Sequence, residues 1–195
     1  RGYRAHSAPS TVTFARPSGA DLIAQACGGT TEFWIDPEGK PQFRAVKLPV
    51  RLEIFSAAQK PERKVRTHDH LGSLGKWDPT FSERCGAIVG RALGAGSARA
   101  IGLELNQYEA ALAAEGLVHP EALKDARALR GMRGVLGVKG CGALLSDAVI
   151  VAVDSVQTLD ELSNLRTLAR ERGLDWVAVL DLAGENGEAG ACFGK

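Results

Sequence analysis

The chain has 195 residues, 45% of them hydrophobic, and its 24 Lys and Arg nearly cancel its 23 Asp and Glu, leaving a formal net charge of +1. That is enough apolar material for a real core in one compact unit or two small ones, and the balance of charge excludes a global field that would draw in nucleic acid or an anionic membrane. No apolar run approaches the ~20 residues of a membrane-spanning helix, and the first residues lack the basic, apolar and small-residue succession of a signal peptide, so the sequence reads as a soluble, cytoplasmic protein.

In chain order, residues 32–36 (EFWID) and 42–47 (QFRAVK) flank the Pro and Gly turn "PEGK", which predicts a hairpin. Residues 50–55 (VRLEIF) set Val50, Leu52 and Ile54 against Arg51 and Glu53, a strand pattern whose polar face Phe55 interrupts. From about residue 62 to 131 the pattern turns helical. Ile101, Leu105, Tyr108 and Leu112 share one face, with Glu104, Gln107 and Glu109 off it. Pro120 suits a helix first turn, and Leu123, Ala126 and Leu129 carry the next stripe. The run "DAVIVAV", residues 147–153, predicts a strand covered on both faces. Thr158 and Glu161 form a capping box for a helix that turns Leu162, Leu165 and Leu168 or Ala169 inward and stops at Gly173. Residues 176–182 (WVAVLDL) give a last strand, and residues 184–195 read as a loose tail. The succession from residue 50 to 182 predicts an α+β sandwich with helices on one face of a sheet.

Three stretches could carry chemistry. In "RPSGADLIAQACGG", residues 16–29, Ser18 caps a short helix and Asp21 sits in its first turn, where the helix dipole favours a carboxylate. Pro17, Gly19, Gly28 and Gly29 constrain both ends, a good way to aim one acid. In "SAAQKPERKVRTHDHL", residues 56–71, Lys60, Arg63, Lys64 and Arg66 precede Thr67, His68 and His70. Such a cluster at a strand end reads either as a solvated basic helix start or as a holder of a ligand carboxylate or phosphate. In residues 134–153, Gly134, Gly137, Gly140 and Gly142 lie just before the buried strand, as a hairpin turn with bulges or as a loop whose amides, beside Lys139, cradle phosphate oxygens. Neither a Walker A loop nor a dinucleotide-binding glycine fingerprint is present. Cys27, Cys85, Cys141 and Cys192 are widely spaced with no C-x-x-C pair, which predicts reduced structural thiols and no metal site.

Taken in order, these stretches resemble the second half of a GHMP kinase, closest to the mevalonate kinase branch, over roughly residues 16–182. "RPSGADLIAQACGG" is similar to the family's P-S-G-x-D segment, helix and Gly-Gly. "KVRTHDHL" is similar to the Lys and Thr segment after the first strand of the family's C-terminal domain, and "LGVKGCGALLSDAVIVAV" to its third, Gly-rich motif. "LNQYEAALAAEGLVHPEALKDARAL" resembles the helix pair before that motif.

The resemblance implies an α+β fold: a ferredoxin-like C-terminal domain over residues 48–195, preceded over residues 1–47 by the end of a ribosomal-protein-S5-like N-terminal domain. It implies an ATP- and Mg²⁺-dependent kinase acting on a hydroxyl of a mevalonate-like metabolite, with Asp21 as the catalytic base. Lys139, Gly140, Cys141 and Gly142 would lie near the phosphates, and Ser18, Gly19, Lys64 and Thr67 on the substrate side. The family's first motif and its second, P-x-x-x-G-L-G-S-S-A, do not occur here, nor does a counterpart of its acidic Mg²⁺ ligand. Cys141, Ala143 and Leu144 stand where many members have Gly or Ser. The chain is therefore expected to be the C-terminal part of a kinase that needs its N-terminal half or a partner chain. Three alternatives stand beside this: a mevalonate diphosphate decarboxylase-like enzyme on the same scaffold, a non-catalytic ferredoxin-like binding module, and a fragment that forms a homodimer.

Overall fold

A computed structural model of the chain describes residues 30–64, 79–141, 143–154 and 156–182. It divides the chain into two units, Arg1–Lys47 with Leu182–Lys195, and Leu48–Asp181.

In the first unit, β1 (Thr31–Ile35) and β2 (Pro41–Ala45) pair antiparallel with Phe33 opposite Phe43. The turn between them is set by Asp36, whose carboxylate accepts the amides of Lys40 (2.7 Å) and Glu38 (3.0 Å), while Gly39 takes φ +76°. The Lys40 amide, joined by the Gln42 side chain, holds the Asp36 carboxyl below the usual carboxylate range. The predicted hairpin is this one.

The second unit runs β3 (Arg51–Ser56), α1 (Pro79–Leu93), α2 (Ala98–Ala114), α3 (Pro120–Arg130), β4 (Val135–Cys141), β5 (Ala148–Val153), α4 (Leu159–Glu171) and β6 (Asp175–Asp181). Its sheet has the order β4-β5-β3-β6 with every neighbour antiparallel. Among the described residues this is an α+β protein with two antiparallel sheets and four helices. Local chemistry sets the helix ends. Thr158 and Glu161 exchange both bonds of a capping box, Gly173 leaves α4 at φ +72°, and Pro120 opens α3 behind a His119 cap. The core packs Phe55, Val138, Val149, Val151 and Val153 of the sheet against Ala126 and Leu129 of α3 and Leu162, Leu165 and Ala169 of α4. Each fully buried Leu or Val contributes roughly 1.5–3 kcal/mol by leaving water. Ala169 is the wholly buried member of the Leu168–Ala169 pair.

Two faces differ from the periodicity. On β3 the helix-covered face carries Glu53 and Phe55, both fully buried, while Leu52 and Ile54 are half-buried. The polar face that Phe55 interrupts is thus the inner one, made tolerable because Glu53 is neutralised there by arginines. On α2, Glu104 and Glu109 are buried along with Ile101 because each meets an arginine from a neighbouring helix, Arg91 of α1 and Arg130 of α3.

The glycines of β4 have a packing role. Gly137 and Gly140 lie within the strand, and at Gly137 a Cβ would stand 2.1 Å from the Gly102 oxygen of α2. That close approach lets α2 and α3 close the open edge of β4. The Asn106 side-chain oxygen accepts the Val138 N–H (3.0 Å) and Arg130 Nε–H (2.7 Å), and Arg130 Nη2 donates to the Val138 carbonyl (3.1 Å).

Gly137→Ala is expected to destabilise the protein by about 2–3 kcal/mol, because backbone blocks the added methyl. Gly86→Ala, in open space on α1, should instead stabilise it by roughly 0.5–1 kcal/mol. Urea denaturation of both variants checks the sign and size.

Candidate functional site

The ends of β3, β4 and β5 meet at one end of the sheet, where Ser56 and Cys141 both align with Ala148. Lys139, Gly140 and Cys141, expected in a glycine-rich loop, are the last three residues of β4. The turn that follows, Ala143–Leu145, holds Leu144 at φ +51° and Leu145 at φ +56°, a left-handed conformation that costs a side-chain-bearing residue roughly 1–2 kcal/mol. The turn folds back on β4 so closely that a Cβ at Gly140 would lie 2.2 Å from the Leu145 oxygen, so glycine is required there by contact.

What holds this turn is a buried charge cluster. Asp125 of α3, with no exposed surface, accepts Lys60 Nζ and Arg63 Nη1 on one oxygen and Arg172 Nε on the other, each at 2.8 Å. Arg63, 1% exposed, also donates through Nη2 to the Leu145 carbonyl (3.1 Å), and the His119 N–H donates to the Leu144 carbonyl (2.9 Å). Both carbonyls of the left-handed turn are thereby engaged. Burial pulls the Arg63 pKa down, opposed chiefly by the charge of Asp125.

Beside the cluster lies a cleft of ≈ 410 Å³ lined by Ser56, Lys60, Arg63, Lys64, Ser146 and Asp147. Lys64 is thus where an anionic ligand could meet it. Lys139 is placed differently: its Nζ donates to the Gly140 carbonyl (3.0 Å) and lies 5.2 Å from the centre of the Tyr108 ring. Burial pushes the Cys141 thiol up, with the Lys139 charge acting against it. Asp147 bridges the two places, lining the cleft while its N–H donates to the Cys141 carbonyl (2.9 Å). Ser18, Gly19, Asp21, Thr67 and Gly142, together with His68 and His70, lie outside the described residues.

Sequence reasoning singled out Lys60 and Arg63 as donors but missed Asp125. The signal was available: Ala122, Asp125, Ala126 and Leu129 recur at core spacing on α3, and an acid at such a position calls for a buried cation. The donor set suits oxyanions. Among the described residues no group of three or more His, Cys, Asp or Glu is placed to hold a metal ion, and no helix is long and apolar enough to cross a membrane.

No protein-family model and no curated protein sequence matches the chain. Solved structures do. The chain aligns with L. major mevalonate kinase, solved in complex with R-mevalonate, at a TM-score of 0.62 and 17% identity, covering 82% of this chain and 50% of that one. It aligns with Methanococcus jannaschii mevalonate kinase at 0.57 and 16%, covering 71% and 44%, and with Streptococcus pneumoniae phosphomevalonate kinase at 0.56 and 14%, covering 73% and 44%. The fold is therefore GHMP kinase-like, and the chain spans about half the length of the structures it matches.

Asp125→Ala is expected to cost about 3–5 kcal/mol by leaving three cations around an empty buried position, a loss read by chemical denaturation. Because the Cys141 thiol is held protonated above its ordinary range, its alkylation at pH 8 should be slower in the folded chain than in urea. Peptide mapping after timed alkylation gives the two rates.

Proposed function

We propose that this chain is the C-terminal part of a GHMP-type kinase that transfers the γ-phosphoryl group of ATP to a hydroxyl of a mevalonate-like metabolite. The observation that carries the reading is the likeness to L. major mevalonate kinase across 82% of the chain, at a TM-score of 0.62. The succession strand, helices, strand, strand, helix, strand and the sheet order β4-β5-β3-β6 support a ferredoxin-like domain over residues 48–195. Residues 1–47 are read with it as the end of the S5-like N-terminal domain.

In this reading the acceptor hydroxyl oxygen attacks the γ-phosphorus, ADP leaves, and the hydroxyl proton passes to the Asp21 carboxylate. Phosphoryl transfer runs through a loose transition state, so positioning and charge neutralisation supply most of the catalysis. Ser18, Gly19, Lys64 and Thr67 orient the acceptor, and the cleft beside Lys64 offers its anionic end a cationic wall. Lys139, Gly140, Cys141 and Gly142 lie toward the phosphates. Magnesium, when bound with ATP, neutralises phosphate oxygens. The N-terminal half or a partner chain supplies the nucleotide loop that this sequence lacks.

A second reading, a non-catalytic binding module, is favoured by one observation: Leu144 and Leu145 put side chains in the left-handed turn where a phosphate-cradling loop needs bare backbone. One experiment separates the two. The chain is supplied with the N-terminal half of a mevalonate kinase, given ATP and mevalonate, and compared with Asp21→Ala. The kinase reading predicts phosphorylated product that falls at least about 100-fold in the variant, the scale of losing a general base. Equal product from both removes Asp21 from the chemistry, and product from neither favours the module.

A further inference from the structure

A second cationic groove lies at the opposite end of the sheet, where Arg51 aligns with Val153 and Asp181. It runs along one side of α4, has a volume of ≈ 370 Å³, and is lined by Arg51, Ser163, Arg166, Thr167 and Arg170 above two leucines. Among the described residues no carboxylate lines it. Two of its arginines are hydrogen-bonded from beneath by Glu53, which has no exposed surface. Arg166 donates to Glu53 through Nε (3.1 Å) and Nη2 (2.9 Å) and stacks on Trp176 at 4.3 Å, while Trp176 Nε1 donates to the same carboxylate (2.7 Å). Arg51 Nη2 reaches Glu53 at 3.2 Å. One buried carboxylate therefore answers two guanidinium groups, and Arg170 adds a third positive charge to the groove. The Nε–H of Arg51 is buried and has no acceptor.

We infer that this groove is a binding site for the phosphate group of a small molecule, separate from the cleft beside Lys64. Three arginines and two hydroxyl-bearing residues lining one groove match a tetrahedral dianion, which takes several donors at once, better than a carboxylate, which takes one fork. Because Glu53 and Trp176 already fix Arg166, little side-chain freedom is lost on binding. Occupation would tie the start of β3 to α4, far along the sheet from the candidate site, which suits a regulatory ligand.

The test is calorimetric titration of the full chain with inorganic phosphate, pyrophosphate and acetate at constant ionic strength. The inference predicts saturable one-to-one binding of phosphate or pyrophosphate, with acetate at least about tenfold weaker. Affinity should fall about tenfold or more in Arg170→Gln, which keeps helix propensity, and less in Ser163→Ala. Lys64→Ala should leave this binding unchanged. Non-saturable heat, affinity unaltered in Arg170→Gln, or loss in Lys64→Ala would each overturn it, and acetate binding as tightly as phosphate would overturn the phosphate assignment. Circular dichroism of each variant confirms that lost binding is not lost fold.

Discussion

The carboxylate of Asp125 is the point on which the rest of this architecture turns. It is buried on α3 and gathers Lys60 and Arg63 from the segment after β3 and Arg172 from the end of α4. Through Arg63 it also reaches the Leu145 carbonyl and so fixes the strained turn between β4 and β5. Three cations around one buried acid are not a cheap source of stability, since taking charge out of water costs several kcal/mol per ion. Their effect is specificity: they dictate which segments meet at this end of the sheet, and they leave positive charge beside a cleft.

Glu53 does the corresponding work at the other end. It draws Arg166 and Trp176 onto the inner face of β3, so that α4 is pinned twice, by Glu53 through Arg166 and by Asp125 through Arg172. Between the pins the apolar core of Leu162, Leu165 and Ala169 supplies the hydrophobic gain. Each pin gathers more positive than negative charge, which is why both ends of one sheet carry a cleft lined by cationic side chains. The likeness to the mevalonate kinase and phosphomevalonate kinase structures is one of fold, at 14–17% identity.

How much of this the sequence showed depends on the range of the interaction. The Thr158–Glu161 box, Pro120, Gly173, the β1–β2 turn and the apolar run of β5 are decided within a few residues, and each stands where the local pattern places it. The inner face of β3 was not legible, because the burial of Glu53 depends on Arg166, 113 residues away. Nor was the purpose of Gly137 and Gly140: a close approach to Gly102 and to Leu145 leaves no local mark, so glycines that read as a loop proved to be strand. Of the candidate site, Lys64, Lys139, Gly140 and Cys141 fall at one end of the sheet. Asp21, the residue given the base role, lies outside the described residues.

The central claim is that this end of the sheet, from Lys139 to Asp147, is where a nucleotide's phosphates act once the chain is joined to the half that completes a GHMP-type kinase. Hydrogen–deuterium exchange of that joined protein, with and without ATP and Mg²⁺, tests it most directly. Slowed exchange across residues 139–147 is the predicted result. Protection confined to other elements, with residues 139–147 exchanging as before, would contradict it.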